Sequence, residues 1–311
     1  MTRPHSTERA LVTGCAGFLG SHLCERLVDD GVEVVGVDCF TDFYPRLVKE
    51  RNLGRLVEEP LFELREMDLS VEPVEGLLDG VSTVYHLAAQ PGVRGSFGAT
   101  FSYYVRHNIQ ATQRLLEEAV RNPVGAFVYA SSSSVYGDNT SFPTSETSDL
   151  QPVSPYGMTK VATEEIAAVY HRNNGLPVVG LRYFTAYGPR QRPDMALSRF
   201  ISRALSDQPL PIIGDGRQVR DFTYVDDIID GTVAASRGRS GSVYNIGGGN
   251  ATELGELIQI LGELLEQPLR IDRRPAQLGD ARRTCADGSR AAAEIDFTPA
   301  TTAIASTAGA R

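Results

Sequence analysis

Two textures alternate along the first 185 residues. Six short, largely apolar runs recur: "RALVTG" (9–14), "VEVVGVD" (32–38), "LFELREMDL" (61–69), "VSTVYHLAA" (81–89), "GAFVYASS" (125–132) and "LPVVGLRYF" (176–184). Runs of this length read as buried strands. Between them apolar residues recur at helical spacing. The segment 18–31 closes at Gly31, a C-cap signal, and 108–122 and 155–173 carry longer patterns. Strand–helix alternation implies an α/β fold with a Rossmann-type, doubly wound parallel sheet.

Beyond residue 185 proline and glycine thicken ("YGPRQRPD", "QPLPIIGDG"). Residues 222–236 read as a strand end followed by a helix, and 241–249 as another strand. The pattern predicts a nucleotide-binding domain over 1–185, with 222–246 returning to it. A smaller C-terminal substrate-binding lobe covers most of 186–311. Ligand is expected between the two, at the carboxyl ends of the strands. The tail 298–311 is small and polar and is expected to be disordered.

Composition removes several classes of function. A net charge of −9 and a pI near 5.2 oppose a nucleic-acid partner, which needs a basic footprint. The four cysteines, Cys15, Cys24, Cys39 and Cys285, form no C-x-x-C pair and have no histidine cluster beside them in the chain. Free thiols in a reducing cytosol are expected, with neither a disulfide framework nor a metal site. No apolar leader and no run near about 18 apolar residues is present, so a cytoplasmic protein without a membrane span is expected.

"TGCAGFLG" sets Gly14, Gly17 and Gly20 between a strand and a helix. The first glycine permits the tight turn, the second lets backbone approach a pyrophosphate, and the third allows close helix–sheet packing. Phe18 and Leu19 open the helix, whose free N–H groups suit phosphate. A glycine-rich turn alone also occurs without ligand, but here Asp38 ends the next strand. Its carboxylate suits adenosine ribose hydroxyls and repels a 2′-phosphate, and neither Cys39 nor Phe40 is basic. This favours NAD over NADP. Weaker signals are Asp68 and Leu69, at a strand end where adenine would lie. Leu87, Ala88 and Ala89 are weak as well; the two small alanines let backbone approach the cofactor.

"PYGMTK" puts Tyr156 and Lys160 one helical turn apart. A tyrosine with its ordinary pKa of about 10 is a poor base at neutral pH. A lysine ammonium and a positive nicotinamide ring nearby would favour its phenolate. Such a pair is common in helices by chance. It gains weight from Pro155, the glycine loop and the hydroxyl-ended strand "ASSSSVYG" (130–137).

Taken together, "GCAGFLG", "HLAA", "SSSSVYG", "YGMTK", "LRYFTAYGPRQRPDMA", "GDGRQVRDFTYVDDIIDG" and "GDARRTCADGSRA" resemble the extended short-chain dehydrogenases/reductases of the nucleotide-sugar epimerase/dehydratase type. The resemblance spans nearly the whole chain. It implies a Ser132–Tyr156–Lys160 catalytic triad, NAD held partly by Asn108 and Tyr183, and a UDP-sugar substrate. It further implies Arg220 at the nucleotide diphosphate and Asp280 at the nucleotide ribose. Many relatives carry an arginine where this chain has Gln277, and Arg282 or Arg283 is a candidate to replace it. A homodimer through 101–121 and 155–172 is also implied.

Within the family, dehydratases carry an Asp-Glu pair just before Val-Tyr-Gly and decarboxylases a Glu. Here Ser133 and Ser134 stand instead. Simple 4-epimerisation needs no such carboxylate. "AAQPGVRGS", with Val93 and Arg94, "DCFTDFY" and "YGPRQRPDMA" resemble the UDP-glucuronate 4-epimerases. Thr185 stands where hexose 4-epimerases usually have Asn. Arg192 aligns with an arginine near the sugar carboxylate, where a guanidinium can fork onto it. Ser131, Ser133 and Thr185 are candidate substrate contacts. The alternatives are UDP-glucose 4-epimerase, UDP-glucuronate decarboxylase and a non-catalytic NAD-binding protein.

Overall fold

A computed structural model describes residues 8–138, 141–248, 250–277 and 279–301. The tail predicted to be disordered therefore lies mostly outside the described residues. In chain order the first elements are β1 (Arg9–Thr13), α1 (Phe18–Asp29), β2 (Glu33–Asp38), α2 (Arg46–Leu53), β3 (Phe62–Glu66) and β4 (Thr83–His86). Then follow α3 (Phe101–Tyr104), a π-helical stretch (Val105–Gln110), α4 (Ala111–Arg121), β5 (Ala126–Ser132), α5 (Pro155–Asn174), β6 (Val178–Tyr183) and β7 (Thr185–Tyr187). The remainder is α6 (Ala196–Leu205), β8 (Leu210–Ile213), β9 (Val219–Tyr224), α7 (Val225–Ala234), β10 (Ser242–Ile246), β11 (Ala251–Glu253), α8 (Leu254–Leu264), β12 (Ile271–Arg274) and α9 (Ser289–Ile295).

The main sheet has seven parallel strands in the order β10-β6-β5-β4-β1-β2-β3. The order reverses between β1 and β4, the switch point at which doubly wound sheets bind ligand. Helices cover both faces, so its central strands are buried on both and read as unbroken apolar runs. One face packs Val12, Leu23, Leu27 and Val34 with Ile228 and Ile246. The other packs Leu11, Val35, Val84, Leu115 and Phe127.

Local signals set the helix ends. Gly31, at φ +82°, follows α1 as it closes. Ser154 caps α5, its Oγ accepting from Gly157 N at 3.1 Å, Pro155 takes the first turn, and Gly175 ends the helix in the left-handed region.

The helix expected over 108–122 differs at its start: it continues from α3 through a π-helical turn. Thr112 Oγ1 takes the Asn108 carbonyl at 2.6 Å, and Thr163 Oγ1 reaches the same carbonyl from α5 at 3.1 Å. Side-chain donors on that carbonyl displace the regular ladder, a recognised cause of local unwinding.

The C-terminal half builds a three-stranded sheet, β11-β9-β7, and a two-stranded one, β12-β8. Helices α6 and α8 seal a small core around Phe200, Leu210, Ile212 and Leu261. Ile228 and Ile229 of α7 and β10's Ile246 join the core of the seven-stranded sheet. So do Ala291, Ile295 and Phe297, from a stretch the sequence reading grouped with the second lobe. Among the described residues no helix is long and apolar enough to cross a membrane.

Candidate active site

The carboxyl ends of β1, β2, β4, β5 and β6 open onto a cavity of about 450 Å³. At its floor Gly17 occupies the N-cap position of α1 and, having no side chain, supplies no cap. The first-turn N–H groups are thus available to a ligand, with the positive end of the helix dipole behind them. The turn is packed to its limit. A Cβ on Gly20 would collide with the Gly14 carbonyl, and one on Gly14, at φ +74°, would lie 2.9 Å from Ala88 N. Gly14, Gly17, Phe18, Leu19 and Gly20 all line the cavity.

Asp38 ends β2 at the same cavity. Its carboxylate accepts from Phe40 N at 2.8 Å and Ala16 N at 3.2 Å. Lys49 Nζ lies 3.9 Å away. Burial pushes the Asp38 carboxyl up, while Lys49 and the two N–H donors pull it down. Beyond it Asp68, Leu69 and His107 form the wall. Cys39, Asp68 and His107 bring one donor atom each within 4.8 Å of one another, a grouping invisible in the spacing because three separate elements supply it. Behind Leu87, Ala88 and Ala89, the buried His86 bridges Thr13 Oγ1 at 2.8 Å and Thr112 Oγ1 at 2.9 Å. Burial pushes this imidazole down to about 3, so it is neutral.

On the other side of the cavity Ser132, Tyr156, Lys160 and Tyr183 converge. The Ser132 hydroxyl accepts from Ser134 N at 3.1 Å and hydrogen-bonds Tyr156. The close approach depends on Gly157, where a Cβ would lie 2.6 Å from the Ser134 carbonyl. Lys160 Nζ donates to the Ala130 carbonyl at 2.8 Å. Burial pushes its ammonium down to about 8, opposed by the Glu164 carboxylate. Burial likewise pushes the Tyr156 phenol up, opposed by the Ser132 hydrogen bond and the positive charge of Arg192. In this arrangement the Lys160 ammonium is turned to a backbone carbonyl, and the groups that oppose the rise of the Tyr156 phenol are Ser132 and Arg192.

Three further predicted contacts, Asn108, Ser131 and Arg94, spend their polar groups on protein partners. Asn108 is buried and spends its amide on protein. Its Oδ1 accepts from Gln90 N at 2.7 Å, and its Nδ2 donates to Gln90 O at 3.2 Å and Thr159 Oγ1 at 2.9 Å. It pins the loop after β4 and does not line the cavity. Ser131 borders the cavity, but its hydroxyl donates to Glu164, because alternation along β5 sends neighbouring side chains to opposite faces. Arg94 lines an adjoining recess of about 470 Å³ and pairs with Asp280 at 3.2 Å.

Ser133, Thr185, Arg192, Arg220 and Asp280 border the main cavity, and Val93, Thr185, Arg220 and Asp280 border both. Arg220 holds Asp280 at 2.6 Å. Asp194 holds Arg192 through two hydrogen bonds, at 2.9 and 3.0 Å. Neither proposed replacement for the arginine missing at Gln277 reaches the cavity. Arg282 pairs with Asp215 at 3.1 Å, and Arg283 stacks on Phe142. Lining residues not singled out in the sequence include Thr41, Phe43 and Tyr44, inside "DCFTDFY", Met195, inside "YGPRQRPDMA", and Lys49 on α2. Only composition marks Lys49: the chain has just two lysines.

A glycine turn at a helix N-terminus, a strand-end carboxylate and a Ser–Tyr–Lys cluster share one switch-point cavity, an arrangement that suits a dinucleotide-binding protein. The particular family follows from comparison: a profile of the NAD dependent epimerase/dehydratase family matches residues 10–247, and the chain belongs to that family. It is 42% identical to an uncharacterized UDP-glucose epimerase, YtcB, of Bacillus subtilis, over 94% of this chain and 93% of that protein. It is 37% identical to a UDP-glucuronate 4-epimerase of Thermodesulfobacterium geofontis, over 93% and 90%. Among solved structures it resembles the UDP-glucuronic acid 4-epimerase from Bacillus cereus in complex with UDP-glucuronic acid and NAD. That match has a TM-score of 0.94, 42% identity and 97% coverage of each chain.

Proposed function

We propose that this protein is an NAD-dependent UDP-glucuronate 4-epimerase, interconverting UDP-glucuronate and UDP-galacturonate through a transient 4-keto sugar. One observation carries the reading. The cavity gathers Ser132, Tyr156, Lys160 and the cation Arg192, while the two positions after Ser132 are the serines Ser133 and Ser134. The acids among the described lining residues are Asp38, Asp68 and Asp280. The first two follow or end the outer strands β2 and β3, and the third is paired with Arg220. No carboxylate is thus placed to strip the C5 proton, as dehydration requires.

When bound, NAD supplies a hydride acceptor that later acts as donor, so the reaction has no net redox change. Gly14, Gly17 and Gly20 with the start of α1 would hold its diphosphate, Asp38 its adenosine ribose, and Lys160 and Tyr183 its nicotinamide end. Tyr156 takes the proton of the sugar 4-hydroxyl and returns one to the same oxygen after the sugar has turned over. Ser132 donates to that oxygen as charge develops on it. Lys160 keeps a positive charge one turn from Tyr156. Arg192 and Thr185 receive the C5 carboxylate; pinning it guards a 4-keto uronate, a β-keto acid, against loss of CO₂. Arg220 and Asp280 serve the nucleotide diphosphate and ribose. Arg94, beside Asp280, is better placed than Arg282 or Arg283 to stand in for the arginine absent at Gln277.

We also propose a homodimer through α3, α4 and α5, where Tyr103 and Met158 are each 53% exposed. Sedimentation giving twice 33.7 kDa supports this, and a monomer at micromolar concentration refutes it. The activity is tested by incubating the purified protein with UDP-glucuronate and following the sugar by NMR. UDP-galacturonate is the expected product. UDP-xylose with CO₂, or turnover of UDP-glucose alone, overturns the reading.

A further inference from the structure

Thirty residues of this chain are basic, and twenty-eight of them are arginine; the two lysines are Lys49 and Lys160. Wherever the molecule places positive charge at its surface it uses a guanidinium. Both lysines are instead buried, each 4% exposed, and both border the same cavity. Lys160 belongs to the Ser–Tyr–Lys cluster. Lys49 has no role in the reading above, yet it shares the burial and the location of a residue that has one.

Its surroundings explain why an ammonium is needed. Lys49 projects from α2, and its Nζ donates to the Thr41 carbonyl at 2.8 Å and approaches Thr41 Oγ1 at 3.2 Å. It lies 3.9 Å from Asp38 Oδ1 and 5.1 Å from the centre of the Tyr44 ring. Cys39 and His107 are the other titratable groups that feel its charge. An ammonium is a compact point charge with three donors in a cone. A guanidinium is a wide planar fork, too large for a pocket closed by Tyr44 and the Thr41 backbone.

We propose that Lys49 is a positioning residue for the adenosine end of NAD: it is the counter-charge of Asp38 and straps the 39–45 loop beside the ribose. Asp38 is the acceptor for the ribose hydroxyls and is itself buried. Without a neighbouring cation a buried carboxylate takes up a proton and ceases to accept two hydrogen bonds. Lys49 therefore lets Asp38 stay an anion in the very place where anions are disfavoured. Asp38 also opposes a 2′-phosphate there, because neutralising the carboxylate would leave Lys49 facing it. The inference rests on the NAD reading of the cavity and is independent of which sugar is turned over.

The test is binding, measured by calorimetry on the full chain with NAD, ADP-ribose and NADP as probes. Lys49→Met is expected to weaken NAD and ADP-ribose alike by about tenfold or more, with the loss growing as pH falls from 8 to 6. Lys49→Arg is expected to show the same loss. Asp38→Asn is expected to shift the NADP-to-NAD affinity ratio by about tenfold or more toward NADP, and Asp38→Asn/Lys49→Met to lose that shift. Should Lys49→Met fail to fold, the two Asp38 variants still decide. Unchanged NAD affinity in folded Lys49→Met, full affinity in Lys49→Arg, or an equal NADP shift with and without Lys49 each overturns the proposal. Absence of NAD binding by the wild-type chain would instead sink the cofactor reading itself.

Discussion

Glu164 grips both arms of the Arg182 guanidinium, Oε1 to Nε at 2.9 Å and Oε2 to Nη2 at 2.7 Å, behind the strand that carries Ser132. The pair is buried, and Ser131 donates to the same carboxylate. Arg182 also donates to Tyr136 Oη at 2.9 Å, whose own hydrogen goes to Asn245 of β10 at 2.6 Å. One network thus ties α5, β5, β6 and β10 together just beneath the reacting groups. Removing one partner strands the other charge in a dry interior. Glu164→Gln or Arg182→Met should each cost about 3–5 kcal/mol, and the double variant clearly less than the sum of the two. Urea unfolding checks this; additive losses would show that the pair is not coupled.

Lys160 should impose a stability cost that depends on pH. Its ammonium is pushed from an ordinary 10.5 down to about 8 by burial. Between those values the unfolded chain binds more protons than the folded one, so this group's contribution to stability rises with pH across about 8 to 10.5. Below 8 the cost of burying the charge is fully present. Lys160→Met should therefore stabilise the NAD-free protein at pH 7 while abolishing turnover, and the gain should shrink by pH 10. Denaturant midpoints at the two pH values give the answer, and a variant less stable than wild type at pH 7 contradicts it.

Under the proposed mechanism Tyr156 is the only group that moves the 4-hydroxyl proton. Tyr156→Phe should lower kcat by about 10³-fold or more. Its ring should keep its edge contact with Tyr104, now 6.2 Å between centroids, so folding and NAD content should be retained. Turnover within tenfold of wild type would remove Tyr156 from the role of base.

The strand and helix pattern was readable where burial is two-sided and caps are explicit. β1, β2, β5 and β6 read as apolar runs, and Ser154, Pro155 and Gly175 bracket α5. The lobe after residue 185 was less legible. Its strands β7, β8, β11 and β12 have three or four residues each and lie among prolines and glycines, β9 was readable only at its end, and α6 and α8 went unread between them. Local motifs located Ser132, Tyr156, Lys160 and the glycine turn on one cavity because consecutive residues carry them. They could not say where Asn108 or Ser131 points, since the π-helical turn and the buried Glu164 decide that in three dimensions. Nor could they pair Arg94 with Asp280, 186 residues apart.

Under the proposed function Arg192 is the residue that would separate a uronate site from a hexose site. It is 22% exposed at the cavity wall and is held in a fork by Asp194. A guanidinium already oriented by one carboxylate loses little freedom on meeting a second, which is how a preorganised anion site is made. Arg192→Ala should raise KM for UDP-glucuronate by about tenfold or more, the worth of one charge-assisted contact. UDP-glucose, lacking the carboxylate, should bind as before. With the uronate carboxylate no longer pinned, part of the 4-keto intermediate should lose CO₂, so UDP-4-keto-pentose or UDP-xylose should appear beside UDP-galacturonate. Steady-state kinetics with both sugars, combined with NMR of the products, reads both effects. An unchanged KM together with an unchanged product mixture would place the carboxylate on other residues, with Thr185 the first to substitute.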